Sequence, residues 1–304
     1  MKVIVPPIKS QGIKTKLVPW IMEQITDKDR EGRWIEPFMG TGVVGLNSRF
    51  EKALISDINP HLVAFYKAVR SGEITAQRVE EYLRNEGEKL RTAEDAGYVH
   101  YRAVRDRFNA SFAPLDFLFL NRAGFNGMIR FSKKGNWNIP FCKKPDRFRD
   151  AYRTKIVNQV KNVQAVIKPK WEYTTARFDK TLKQAEVGDM IYCDPPYYGR
   201  YTDYFNTWSE KDEAELAALL HKTRAKFILS TWHHNDFRTN TSIEKHWSDF
   251  HIVTKEHFYH AGGKEENRNP VIEALVMNFE PPKPESPAKG KPTSHDQPEL
   301  FAEQ

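Results

Sequence analysis

Residues 33–62 read RWIEPFMGTGVVGLNSRFEKALISDINPHL, and their order sets the fold. "RWIEPF" (33–38) is a short strand that ends at Pro37 and Phe38, and "MGTG" supplies a tight turn through Gly40 and Gly42. "VVGLNSRF" is expected to begin a helix. "KALISD" (52–57) is a second strand ending on Asp57, and a second helix follows with Asn59 as its N-cap and Pro60 at its first position. Strand, glycine loop, helix, strand, helix is how a doubly wound α/β sheet opens.

Outward from this stretch, residues 73–115 carry a charged helical pattern, and "RTKIVNQVKNVQAVI" (153–167) repeats apolar residues at helical spacing. Short strands and helices then alternate. "WEYTT" precedes a helix near 179–185, "DMIYCD" precedes one at 210–223, and "KFILST" follows. "HIVTKEHFYH" and "VIEALVMNF" read as a closing hairpin. The expected organisation is a sheet domain made of residues 1–62 and 158–280, split by a mainly helical insertion at 63–157. Residues 281–304 are proline-rich and nearly free of apolar side chains, so a disordered tail is expected.

The 304 residues suffice for a full core, and two cysteines, Cys142 and Cys193, exclude a disulfide framework. No Cys/His cluster has metal-ligand spacing, so no metal is expected. The N-terminus has no apolar stretch long enough for a signal or a membrane span, which gives a soluble cytoplasmic protein as the expectation. The net charge is +7, and residues 130–155 hold nine Lys and Arg against two Asp, so that segment carries the whole excess. Phe125, Phe131, Trp137 and Phe141 interleave with those charges, the pattern of a nucleic-acid surface.

"IYCDPPY" (191–197) is the sharpest local signal. Two prolines remove two backbone donors and fix two φ angles, so the segment is neither mid-helix nor a central strand. It reads as a rigid ledge at the carboxyl end of a strand, where open α/β sheets place ligands. "EPFMGTG" (36–42) lacks the third glycine of a dinucleotide fingerprint and the lysine of a phosphate loop, so alone it is equally a plain turn. Asp57 ends the strand where such folds set an acid against a ribose, and a helix N-cap is the competing role.

Taken in order, "FMGTG", "SDINPHLVAFY", "NRAGFNGMIRFSKKGNWNIPF" and "YCDPPY" resemble the Dam-like (D12, α-group) DNA adenine-N6 methyltransferases over nearly all of residues 6–279. The resemblance implies a Rossmann-like fold that uses S-adenosyl-L-methionine, with an inserted DNA-recognition module. It implies that Glu36, Pro37, Phe38, Gly40 and Gly42 surround the methionine end and that Asp57, with Ile58, takes the ribose side. "IKSQGIK" (8–14) resembles the segment that closes over the cofactor, with Lys14 at the contacting lysine; Ser10 stands where the family usually has tryptophan. Asp194, Pro195, Pro196 and Tyr197 would hold the target base, Asp194 also bordering the cofactor.

The exocyclic amine of adenine is a poor nucleophile because its lone pair is delocalised into the ring. Two fixed acceptors, the Asp194 carboxylate and the Pro195 carbonyl, would each take one N–H and free that lone pair. The base must leave the duplex to be reached, and Tyr197 would stack on it. The resemblance puts DNA contacts at Arg122, Phe125, Asn126, Met128, Arg130, Lys133 and Lys134. Phe125 or Met128 would wedge into the vacated stack, Asn126 would reach a base or the backbone, and Lys133 and Lys134 would attract phosphate. Arg130 suits either a guanine edge or a phosphate. An RNA adenine methyltransferase and a catalytically lapsed DNA-binding protein are the competing functions. Finally, "QPELF" (297–301) resembles the short peptides that dock bacterial proteins on the sliding clamp, with Gln297, Leu300 and Phe301 as its contacts.

Overall fold

The computed structural model of the protein describes residues 1–197, 208–258 and 270–282. Seven strands form one sheet: β1 (Arg33–Glu36), β2 (Lys52–Asp57), β3 (Trp171–Thr175), β4 (Met190–Cys193), β5 (Lys226–His234), β6 (His251–Phe258) and β7 (Pro270–Met277). Their spatial order is β3-β2-β1-β4-β5-β7-β6. β1 through β5 are parallel, Trp34 lying beside Ala53 on one side and Met190 on the other. β7 runs antiparallel between β5 and β6, so the expected hairpin pairing of the last two strands is present.

The order reverses at β1 and β4, whose connections leave toward opposite edges. At such a reversal, open α/β sheets hold ligands in a crevice beyond the carboxyl ends of the strands. Alternate residues of the central strands feed two cores. Trp34, Met190 and Tyr192 enter the larger cluster, and Ile35, Ile191 and Cys193 enter the smaller one. A parallel sheet buried on both faces needs such continuous apolar strands.

The larger cluster also takes residues of α1 (Val18–Met22), α2 (Pro60–Ser71), α3 (Ala76–Thr92), α4 (Tyr98–Ser111), α5 (Pro114–Ala123) and α6 (Asp150–Val166). The smaller one takes α7 (Phe178–Leu182) and α8 (Glu210–Lys222). α2 starts as its sequence requires: Asn59 accepts the His61 N–H at 3.0 Å and Pro60 is first in the helix.

One expected element differs. "VVGLNSRF" forms a single 3-10 turn at Gly45–Asn47 rather than a helix. Gly45 lies against the Glu36 carboxylate, and the Asn47 side chain exchanges two hydrogen bonds with the Ile4 backbone, at 2.9 and 3.0 Å. The chain then reverses at Arg49, whose φ is +64°, to enter β2. These tertiary contacts outweigh the local helical preference.

The N-terminal segment has no regular structure, yet side chains hold it firmly. Lys9 N–H donates to Asn121 Oδ1 at 2.8 Å, and Asn121 Nδ2 returns a bond to the Lys9 carbonyl at 2.9 Å. Arg122 Nη1 donates to the Pro7 carbonyl at 2.9 Å. Among the described residues no helix is long and apolar enough to cross a membrane. Gln297, Leu300 and Phe301 lie outside the described residues.

Candidate active site

At the end of β1 the chain turns through two residues of positive φ, Gly40 at +52° and Gly42 at +73°. A Cβ on Gly40 would meet nothing within 4 Å, so the bare backbone faces open space. Gly40 N–H donates to Asp57 Oδ2 at 2.8 Å and Asn59 N–H to Asp57 Oδ1 at 2.8 Å, so Asp57 is fixed across the crevice mouth. Burial pushes its carboxyl up to about 6, with those amide bonds opposing. Ile58 beside it is exposed. Fixed acceptor, open glycine backbone and adjacent apolar surface suit an adenosine ribose and base.

Beneath the loop, Glu36 is fully buried and accepts the Trp34 indole N–H at 2.9 Å. Burial pushes this carboxyl up to about 8, so it is mostly protonated at pH 7. Pro37 is buried, and Phe38 packs 5.3 Å from Phe178 and 5.5 Å from Trp208, ring centre to ring centre.

From β4 the chain passes into Asp194–Tyr197. Lys14 Nζ lies 3.0 Å from Asp194 Oδ1, with side-chain exposures of 5% and 21% respectively. Burial raises the Asp194 carboxyl above its ordinary range, while the Lys14 charge and hydrogen bond pull it down. The same ammonium stands 4.7 Å from the centre of the Tyr197 ring. The Tyr197 hydroxyl donates to Glu273 Oε2 at 2.6 Å. The structure therefore gathers Lys14, Asp194, Tyr197 and Glu273 beside Glu36 and Asp57. Sequence reasoning missed Glu273, although an acid inside the apolar run "VIEALVM" was a visible signal.

Several expected positions are corrected. Ser10 is not drawn into this group: its hydroxyl donates to the Gln11 carbonyl, and it borders a separate pocket of about 570 Å³ together with Lys9, Arg122 and Asn126. Arg122 is only 1% exposed and braces the N-terminal segment from below, which is a structural position rather than a free DNA-facing one. Trp137 and Phe141 belong to the core, the Trp137 indole donating to the Tyr101 hydroxyl at 3.0 Å and Phe141 stacking on Tyr101 at 5.1 Å. Phe131 stacks on His61 at 4.7 Å. The interleaved aromatics mostly hold the basic loop onto its support; they are not its surface. Met128 is partly buried against the same core, whereas Phe125 is 49% exposed. Asn126, at φ +52°, Lys133 and Lys134 are exposed. Arg130 Nε donates to Asn138 Oδ1 at 3.0 Å, which braces its guanidinium within the loop.

Comparison with known proteins agrees with this geometry. Residues 10–261 match the family model of D12 class N6 adenine-specific DNA methyltransferases. The DNA adenine methylase of Vibrio cholerae is 30% identical over 282 residues, covering 89% of this chain and 94% of the relative. That of Haemophilus influenzae is 31% identical over 252 residues, covering 76% and 80%. A type II methyltransferase of Methanocaldococcus jannaschii is 29% identical over 304 residues, covering 90% and 99%. The match spans most of the chain and takes in the glycine loop, the basic loop and the proline ledge, so this protein belongs to the D12 class of N6 adenine-specific DNA methyltransferases.

Proposed function

We propose that the crevice between β1 and β4 binds S-adenosyl-L-methionine and, at the Asp194–Tyr197 ledge, an adenine swung out of duplex DNA. The observation that carries this reading is the Lys14–Asp194 pair at the end of β4, beside a rigid proline ledge and facing a glycine loop whose backbone is open. When bound, the cofactor supplies an electrophilic methyl on a sulfonium. The chain's own residues do the rest. Asp57 accepts from ribose hydroxyls, and Gly40 and Gly42 let the backbone come close. The Asp194 carboxylate and the Pro195 carbonyl each accept one N–H of the adenine amine. Lys14 favours the charged form of the carboxylate, while burial makes it a stronger base than a surface aspartate, which suits it to take the proton the amine gives up. Because Pro195 and Pro196 fix the backbone beforehand, the acceptors need no reorganisation.

Residues 63–157 serve in this reading as the target-recognition module, with Phe125 as wedge, Asn126 and Arg130 at the bases, and Lys133 and Lys134 at phosphates. The decisive experiment offers methyl-labelled cofactor to duplex DNA and to RNA, then maps 6-methyladenine. Label on adenine N6 in DNA is expected; label confined to RNA overturns the reading.

Cofactor affinity should depend on pH through Asp57. Its free-state pKa is about 6, and ribose hydroxyls donating to the carboxylate favour its charged form, so the bound pKa is lower. Affinity for sinefungin should be constant above about pH 7 and fall up to about tenfold per unit below pH 6. Asp57→Asn should bind weakly and lose this dependence between pH 5 and 7.5. An unchanged profile in the variant would remove Asp57 from the ribose.

The tail peptide at Gln297, Leu300 and Phe301 is proposed as a sliding-clamp ligand, supported by two large apolar residues in an otherwise polar segment. Immobilised clamp should retain the full chain and release a Leu300→Ala/Phe301→Ala variant. Equal retention of both would end the proposal.

A further inference from the structure

β7 is an apolar strand with one acid set in its middle. Val271, Ala274, Leu275, Val276 and Met277 are buried, and Glu273 is 0% exposed among them. Strand alternation puts Glu273 on the face shared by Val271 and Leu275. It lies opposite Trp232 of β5 and Lys255 of β6, next to the register shift between Trp232 and His234. A carboxylate so placed costs stability unless hydrogen bonds compensate it. The packing of β7 alone would be better served by another Val or Ile, so the acid needs a reason.

That reason lies just beyond the end of β4, two strands away. Glu273 Oε2 accepts the Tyr197 hydroxyl at 2.6 Å, a length typical of a charge-assisted bond. Pro195 and Pro196 fix the backbone before Tyr197, but they leave its side-chain torsions free. The hydroxyl bond at one end of the ring and the Lys14 ammonium over its face, 4.7 Å from the centre, remove that freedom. Glu273 also pushes the Asp194 carboxyl up by like-charge repulsion, a lesser effect than those of burial and Lys14.

We propose that Glu273 is a positioning residue of the methyltransferase: by holding the Tyr197 hydroxyl it sets the ring against which the target adenine stacks. This rests on the assignment of Asp194–Tyr197 as the base site. An untethered ring would rotate among its rotamers and present its face to the base only part of the time. The loss should fall on the flipped base and leave the cofactor side, at Asp57 and Gly40, untouched.

The test is a double-mutant cycle on the full chain, with Tyr197→Phe, Glu273→Ala, their combination, and Glu273→Gln, which keeps an acceptor oxygen. Three quantities are read: methyl transfer to duplex carrying the mapped site, sinefungin affinity, and fluorescence of 2-aminopurine at the target position. Tyr197→Phe and Glu273→Ala should each lower kcat/KM about tenfold and change the fluorescence alike, with the double variant no worse than either. Glu273→Gln should stay within about threefold of wild type, and sinefungin affinity within about twofold throughout. Losses that multiply in the double variant overturn the proposal, as does an impaired Glu273→Gln beside an unimpaired Tyr197→Phe. Should Glu273→Ala not fold, Tyr197→Phe with wild-type turnover and fluorescence overturns it alone. A wild type that methylates no DNA refutes the base-site assignment; a wild type that does, with multiplying losses, refutes only the role of Glu273.

Discussion

Replacing Asp194 by alanine is expected to lower turnover by about 10²–10³-fold while sinefungin affinity falls no more than about tenfold. The asymmetry follows from geometry. In the proposed reading Asp194 sits where the amine would be held, whereas Asp57, the proposed ribose acceptor, stands at the end of a different strand and keeps its bonds to Gly40 and Asn59. Losing a preorganised acceptor removes stabilisation that matters most as charge develops on the amine, so kcat suffers more than binding. The alanine variant also takes a carboxylate away from Lys14, whose side chain is 5% exposed, so a lower melting temperature should accompany the kinetic loss. Asp194→Asn keeps one neutral acceptor oxygen and should fall between alanine and wild type. Single-turnover methylation, compared at saturating cofactor, measures the effect. Turnover within tenfold of wild type in the alanine variant would remove Asp194 from its role.

Gly45→Ala is expected to destabilise the protein by about 2–3 kcal/mol and to weaken cofactor binding together with stability. A Cβ at Gly45 would stand 2.2 Å from Glu36 Oε2 and 3.2 Å from Trp34 Nε1. Glu36 has no easy escape, because it is fully buried and holds the indole N–H at 2.9 Å. The carboxyl must swing away, break that bond and push on the glycine loop above it. The sign of the pH effect is also fixed. The folded-state pKa of Glu36, about 8, lies above the ordinary glutamate value of 4.5, so its contribution is whole below about pH 4.5 and is lost as pH rises through 8. Thermal melts of wild type and Gly45→Ala between pH 5 and 9 test both points. A melting temperature within about 1 °C of wild type at every pH would show that the loop yields without cost.

The basic loop shows how sequence reading can be half right. Nine cations between 130 and 155 announced a surface for an anionic partner, and Lys133 and Lys134 are indeed exposed. The aromatics among them looked like part of the same surface, but Trp137 and Phe141 face inward and Phe131 stacks on His61. Periodicity could not separate the two sets, because the loop has no regular helix or strand and hence no repeat from which to read a face. The resemblance put Arg122 among the DNA contacts, whereas α5 carries it under the N-terminal segment, where the Pro7 carbonyl takes one of its N–H groups. The 3-10 turn at Gly45–Asn47 was hidden as well, since what suppresses the helix is Ile4, far back in the chain.

What the sequence determined by itself was everything written in short-range patterns. Apart from the turn after β1, the alternation of strands and helices, the start of α2 with Asn59 as N-cap and Pro60 first in the helix, the glycine loop and the proline ledge each depend on a few neighbouring residues, so they survive without knowledge of the rest. Only the tertiary structure decided which distant groups meet. Lys14 reaches Asp194 across 180 positions of chain, and Tyr197, following β4, reaches Glu273 two strands away on β7, because the strand order reverses at β1 and β4 and β7 slips in between β5 and β6. Local sequence encodes backbone preference; contacts between charges so far apart exist only once the whole sheet has closed its hydrophobic faces and brought the strand ends to one crevice.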